Sequence, residues 1–563
     1  MKAHVLAVAV ILAAAAPARG EVPPGRHHPI PGTEALPPRP PAAPPPGDIL
    51  VSPGEFCRAD GVLLTYETAF GSAHIIVDLA AVVAEQDTVY MICKSSATRS
   101  QAIAQLTAAG VDLDYVRFIL YPQLADNSIW VRDYGPVYAY EDGEKAIADF
   151  WYPFTSDDDL PITVGAEFDV PVYTNDLLHS GGNFMTDGNG MGFATEIVYE
   201  YNPDYSEAEV RGLFRDYCGI DSLVVLPKLD VENTKHLDVF CKLLDDRTFI
   251  VGEYATPGDG AGNNYYILND IAAALDSLRN ADGREFDVVR IPMPPYEGGG
   301  WAPTRTYTNS LLVNGRAVVP VYGLPTDEEA LQIYRSILSD YEVIAFDSQE
   351  IIERAGAVHC ISKLHHSSNP LVIFHAPLAS VPANEEVPVG FRVNPRFPDT
   401  DASVHYRPES EAEFSEVAAA WAGDAFLAIL PPMFEDFEYY VESTVSCGGH
   451  LLPVASPTYA VEVTGTAHAV LPSAPRLALR AHPSLFREAI DLGFEIPTGG
   501  SAELEIFDAR GRRVRGFRAL GAGRQDMRWD GCDTARRRVP GGVYFCRLTT
   551  GEQTAVVRLV RAD

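Results

Sequence analysis

A cysteine can serve as a nucleophile, a histidine as a general acid and base, and a carboxylate as the partner of a cation. In this chain of 563 residues those types interrupt apolar runs in three places. The first is Ile129-Trp130-Val131-Arg132-Asp133-Tyr134-Gly135-Pro136, where a strand is expected to end on an Arg-Asp pair and a Gly-Pro turn. The second is Thr234-Lys235-His236-Leu237-Asp238, leading into Val239-Phe240. In an extended chain His236 and Asp238 point to one face, ~7 Å apart, because side-chain direction repeats every two residues. The third is Gly356-Ala357-Val358-His359-Cys360, in which a thiol follows a flexible Gly-Ala pair. Its neighbour His359 is expected on the opposite face and is given no catalytic role. Two further segments, Ser180-Gly181-Gly182-Asn183 and Thr308-Asn309-Ser310, bring small and amide residues that let backbone approach a ligand closely. Taken singly, each has a plain structural explanation: a surface ion pair, a satisfied core histidine, a buried cysteine or an ordinary turn.

Elements able to position such groups are legible between about Asp48 and Ser368. Short β-rich runs, among them Thr88 to Cys93, Pro136 to Tyr140, Ser222 to Leu226, Asp238 to Leu244 and Ala317 to Val321, alternate with segments of helical periodicity. The helical segments are Ala73 to Glu85, Ser96 to Ala109, Ser206 to Tyr217, Asn264 to Leu278 and Thr326 to Leu338. Ser206 with Glu209 and Thr326 with Glu329 have the spacing of capping boxes. An α/β domain of similar strand-helix units follows. After Pro370 the helical signal fades. Residues 369–466 read as one β-sandwich and 467–563 as a second, arginine-rich all-β module.

Lys plus Arg is 43 against 77 Asp plus Glu, a net charge of −34, which argues against a binder of nucleic-acid backbone. A hydrophobic content of 47% with 21% charged residues is that of a folded chain. Residues 1–20 have the form of a secretory signal, with Lys2, an apolar run from Val5 to Ala16 and Ala18-Arg19-Gly20 before Glu21. Residues 21–47 form a proline-rich linker or pro-segment, with eleven prolines between Val22 and Gly47. No later run is long enough to span a membrane. A soluble, secreted or cell-surface protein is expected. Of eight cysteines, Cys532 and Cys546 flank a hairpin and could pair, or could stand as separate core thiols. No metal site is legible in the spacing and no cofactor is expected; the runs Asp157-Asp158-Asp159 and Asp245-Asp246 read as solvated loops.

In order, W-x-R-D-x-G-P, G-G-N, H-x-D, T-N-S and a Gly-rich approach to H-C resemble the guanidine-modifying (pentein) superfamily, in its branch of agmatine deiminases and Porphyromonas-type peptidylarginine deiminases. The resemblance spans Asp48 to about Leu364. It implies a five-bladed α/β propeller, a domain of residues 48–368, with Asp133, His236, Asp238, Asn309 and Cys360 in one site. Asp133 and Asp238 would clamp a planar guanidinium through charge-assisted hydrogen bonds. Cys360 would attack its carbon, His236 would move protons, and Asn309 would orient the thiol or substrate. Trp130, Arg132, Gly182 and Asn183 are counted among the substrate-binding residues, Trp130 along an aliphatic stem. The C-terminal segment, with Trp529-Asp530-Gly531 and Val539-Pro540-Gly541-Gly542, resembles immunoglobulin-like tails of hook-cap and type IX secretion sorting type, which would make secretion machinery a partner. Two all-β immunoglobulin-like domains after the propeller are thus expected.

Arginine in a peptide or protein, converted to citrulline, is the expected substrate. In the C-terminal-arginine enzymes of this branch two arginines shortly after the W-x-R-D segment hold the substrate carboxylate. The comparable stretch here, Asp149 to Asp158, has none and is aromatic and then acidic, which would repel a free carboxylate. The alternatives are an agmatine deiminase giving N-carbamoylputrescine, and a non-catalytic secreted binding protein on the same scaffold.

Overall fold

Five times between residues 59 and 366 the chain repeats one unit: an antiparallel strand pair, a helix, and a strand returning parallel to the second of the pair. The computed structural model describes residues 42–48, 50–68, 72–126, 128–152, 156–298, 303–397, 400–447, 450–464, 478–482, 485–486, 489–496, 502–508, 512–520, 523–550 and 553–561. The expected secretory signal and most of the proline-rich segment lie outside the described residues. Parallel neighbours need a crossover of a dozen or so residues, which is why each unit carries a helix.

In the second unit Val137–Glu141 pairs antiparallel with Glu144–Trp151, and helix Leu160–Phe168 leads to the parallel strand Val172–Leu178. The third joins Met185–Thr186, Met191–Thr195 and Ser222–Leu226 through helices Ile197–Tyr201 and Glu207–Cys218. The fourth has Cys241–Leu243, Thr248–Glu253, helix Asn264–Ser277 and Asp287–Pro292; the fifth has Leu311–Val313, Arg316–Val321, helix Asp327–Ile337 and Glu342–Asp347. The first unit, Ala59–Tyr66, helix Ala73–Val83 and Thr88–Cys93, is extended by helix Ser96–Ala108 and Val116–Leu120. It takes its antiparallel strand from the far end of the domain, Lys363–His366. The chain therefore closes on itself, first unit against last.

The antiparallel pair of each unit is largely buried, whereas the returning strands of the last four units are only partly so, Asp287–Pro292 and Glu342–Asp347 with one buried residue each. Ser206 and Glu209 form the expected capping box. Thr326 and Glu329 do not, because the Thr326 hydroxyl bonds Tyr307 instead. Two sheets of the following segment, one holding Val387–Asn394 and Phe426–Leu430, the other Asp401–Pro408, Phe437–Cys447 and Tyr459–Thr464, face each other across a shared core of Val389, Phe391, Val404, Tyr439 and Val461. This sandwich is one compact unit with the α/β part, joined by Tyr140 in its core and by the Arg392–Asp246 ion pair.

The tail is a separate unit. Its three-stranded and five-stranded sheets enclose Trp529, Leu504, Ile506, Cys546 and Leu559. Cys532 and Cys546 are separate thiols, the first half-buried and the second in this core, so the possible disulfide is not formed.

Most of the two acidic runs is interior and not solvated; Asp159 is exposed and Asp245 half-buried. Asp157 accepts from the Ala125 amide at 2.7 Å and Asp158 from the Tyr152 amide at 2.6 Å. Asp245 accepts from the Arg247 and Thr248 amides, and Asp246 pairs with Arg392 at 2.6 Å. Buried carboxylates persist where backbone amides or a guanidinium satisfy them. Among the described residues no helix is long and apolar enough to cross a membrane.

Candidate active site

The five residues expected in one site come from the same place on the repeated units, the short segment entering an antiparallel strand. Asp133 lies in the helical turn Val131–Tyr134 before Val137–Glu141, Asp238 in the 3-10 turn Leu237–Val239 before Cys241–Leu243, Asn309 just before Leu311–Val313, and Cys360 just before Lys363–His366. The remaining unit gives the Gly181–Asn183 turn before Met185–Thr186. Two local expectations are corrected. Arg132 and Asp133 sit on a helical turn, not a strand end, and His236 and Asp238 open a 3-10 turn, so their side chains follow its geometry and not a period of two.

These segments converge. Asn309 is the fastening of the cysteine: its Oδ1 accepts from the amides of Ala357, His359 and Cys360 at 3.2, 3.1 and 3.3 Å, and its Nδ2 donates to Cys360 Sγ at 3.2 Å. Sγ lies 3.7 Å from Asp238 Oδ2. Asp133 Oδ1 accepts from the Gly182 amide at 3.2 Å and is 3.6 Å from His236 Nδ1. Asp238 is fully buried, yet its Oδ1 has no hydrogen-bond partner, an expensive state for a carboxylate oxygen unless a cation is to occupy the space before it.

Burial, then the carboxylates of Asp238 and Asp133, hold the Cys360 thiol well above its ordinary pKa. The thiol of the free protein is thus protonated. A cation bound between the two aspartates would cancel the charges that oppose the thiolate.

Beneath this cluster His359 makes a double bridge, Nδ1 to Asp238 Oδ2 and Nε2 to Glu55 Oε2, each at 2.6 Å. The backbone here is a turn and not an extended strand, so His359 reaches Asp238 from below. It is a positioning residue: two protons are shared among the three groups, and one of them fixes Asp238 Oδ2 so that Oδ1 faces away. Burial opposes ionisation of Asp238, but His359 outweighs it and keeps that carboxyl below the usual range. Glu55 is likewise held low against its burial by His359, Lys242 and Arg132. No motif announced Glu55 in the sequence.

Three expected substrate contacts have other duties. Arg132 points down, its Nε donating to the His359 carbonyl at 3.2 Å and its NH2 pairing with Glu55 at 3.0 Å. Asn183 Oδ1 accepts from Thr195 and Leu237 amides at 3.0 and 3.2 Å, which clips the turn carrying Asp238 to a neighbouring strand. Trp130 lies over Gly356, where a Cβ would meet the indole at 2.2 Å, so its ring seats the cysteine loop.

Gly182 is different. A Cβ there would fall 2.8 Å from Asp133 Oδ1, 2.9 Å from His236 Nδ1 and 3.1 Å from Asp238 Oδ2, in the middle of the polar cluster. Gly182→Ala is expected to lower kcat/KM by ~100-fold with little change in thermal stability, since displacements of about 1 Å at a reacting centre carry that cost. Steady-state kinetics with a guanidine substrate would check it; unchanged turnover would mean the substrate lies elsewhere.

The sequence pattern of the Porphyromonas-type peptidyl-arginine deiminase family matches residues 64–364, more than half of the chain and all five converging segments. The chain belongs to this family. It is accordingly a hydrolase of guanidino C–N bonds. Agmatine deiminase of Pseudomonas aeruginosa (strain UCBPP-PA14) is 26% identical over 310 residues, 48% of this chain and 81% of that protein. That of Stutzerimonas stutzeri is 26% identical over 297 residues, 46% and 80%. The fold is shared with the putative arginine deiminase from Porphyromonas gingivalis, at TM-score 0.51 and 21% identity over 57% of this chain and 99% of that one. It is also shared with agmatine deiminase of Enterococcus faecalis, at 0.52 and 20% over 58% and 98%.

Proposed function

We propose that this deiminase converts the guanidinium of agmatine into a ureido group, releasing ammonia and N-carbamoylputrescine. The observation that carries guanidine chemistry is the buried, unpartnered Oδ1 of Asp238 beside a thiol held by Asn309. In this reading the five repeated units stand as blades around the site. The substrate cation lies between Asp133 and Asp238, its charge permits the Cys360 proton to pass to His236, and Sγ adds to the guanidinium carbon. His236 protonates the departing nitrogen, which leaves as ammonia, and an amidino-thioether remains. A water deprotonated by His236 adds to the same carbon, the C–S bond breaks, and the thiol is restored.

Two things favour agmatine over the peptidyl arginine expected from sequence. The relatives above carry that name. The acidic stretch that would have repelled a carboxylate is turned inward, which removes one support for a peptide. A small cavity beside Asn309 and Ala357 is lined by Glu232. The carboxylate accepts from the Thr234 hydroxyl at 3.0 Å and from the Lys235 amide, and burial raises its pKa. Such a carboxylate suits the far ammonium of agmatine, which peptidyl arginine lacks. The second reading, an exported enzyme acting on arginine in peptides, is favoured by the signal-like residues 1–20.

Agmatine, a peptide with internal arginine and one with C-terminal arginine, compared by mass spectrometry of the ureido product, decide between them. Agmatine is expected to give the highest kcat/KM; preference for the internal-arginine peptide would establish the second reading. Glu232→Gln is expected to raise KM for agmatine ~10- to 100-fold, the worth of one charge-assisted hydrogen bond, with kcat nearly unchanged.

A further inference from the structure

We propose that the cavity behind the catalytic cluster is a binding site for a small monovalent anion, chloride being the simplest. The cavity, of about 60 Å³, lies one step further along the same strands that present the catalytic groups, between Val137-Tyr138, Met185-Thr186, Lys242-Leu243 and Lys363-Leu364. Three cations line it, Arg132, Lys242 and Lys363, against the single carboxylate of Glu55. Glu55 is already spoken for. Its oxygens take Arg132, Lys242, His359 and the Leu312 amide.

Lys363 is the group left over. The residue is 8% exposed and lines the cavity, and its ammonium has no hydrogen bond or ion pair among the described residues. An ammonium in that position is costly unless an anion comes to it. Burial, then the Arg132 charge, pull its pKa down to about 7, more than the carboxylates of Glu55, Asp133 and Asp238 restore. Glu55, Asp133 and Asp238 attract its charge from a distance, but none of them forms an ion pair with it. A Cβ on Gly181 would lie 3.1 Å from Lys363 Nζ, whereas one on Gly182 would lie among the catalytic groups. The space suits a halide and excludes an anion as large as gluconate.

The test exchanges sodium chloride for sodium gluconate at constant ionic strength while following thermal unfolding of the whole protein. Chloride is expected to raise the midpoint saturably, by ~2–4 °C, as a ligand of the native state does, and bromide to replace it. Lys363→Met is expected to abolish the shift. Lys363→Gln repeats the test if the methionine variant does not fold, and anomalous diffraction from bromide-soaked wild-type crystals locates the ion independently. Bromide beside Lys363 Nζ supports the site. Equal midpoints in the two salts, a shift kept in the Lys363 variants, or bromide at the surface only would overturn it.

Discussion

Cys360→Ala protein is expected to form no ureido product above the uncatalysed background, a loss of ~10⁴-fold or more in kcat, and to unfold at nearly the wild-type temperature. The loss is large because no other group can replace the attacking atom. Among the described residues the other cysteines of the α/β part, Cys57, Cys93, Cys218 and Cys241, are buried with their thiol pKa values pushed up by burial. Stability should persist because Cys360 contributes two weak thiol contacts, to Asn309 and Asp238, while the three amides that shape its loop are held by Asn309 and remain. Mass spectrometry adds a second check. With wild-type enzyme quenched during turnover, Cys360 should carry the mass of the amidino group, and His236→Ala should slow both the formation and the hydrolysis of that adduct. Citrulline or N-carbamoylputrescine formed by the alanine variant at the wild-type rate would end the nucleophile assignment.

Regular periodicity made the helices legible: Asn264–Ser277 and Asp327–Ile337 begin and end within a residue of where apolar spacing places them. Short strands such as Met185–Thr186 and Lys363–His366 carried no signal, because two to four residues are too few for alternation to show and Lys363 and His366 read as surface types. Those two strands follow Gly182 and Cys360, whereas the strands after Asp133 and Asp238 were legible. Asp133, His236, Asp238, Asn309 and Cys360 stand out by type and order, and the structure brings them together. Glu55 does not stand out, for a buried charge is recognised only by its partners, and His359 lies 304 positions away from it. Arg132 and Asn183 were assigned to substrate because they adjoin catalytic residues in sequence. On a tight turn, adjacency sends neighbours to opposite sides, one toward the substrate and one into the supporting layer.

Asp238→Asn separates two effects of one carboxylate and is expected to move two measurements in opposite directions. Oδ2 is fixed by His359 and lies near Cys360 Sγ, while Oδ1 is buried without a partner. Replacing the carboxylate by an amide removes the charge-assisted contact with the guanidinium, and removal of one partner of a buried pair costs ~2–5 kcal/mol, or roughly 30- to 4,000-fold in kcat/KM. In the free enzyme the same charge, after burial itself, raises the Cys360 pKa. Without it the thiolate becomes more abundant at a given pH, so alkylation of Cys360 by iodoacetamide near neutral pH should be faster in the variant than in the wild type. A merely structural role for Asp238 would not produce that split, since a loosened site would lose turnover without making the thiol more acidic. Slower alkylation together with unchanged kcat/KM would show that the cation binds elsewhere and that Asp238 does not govern the thiol.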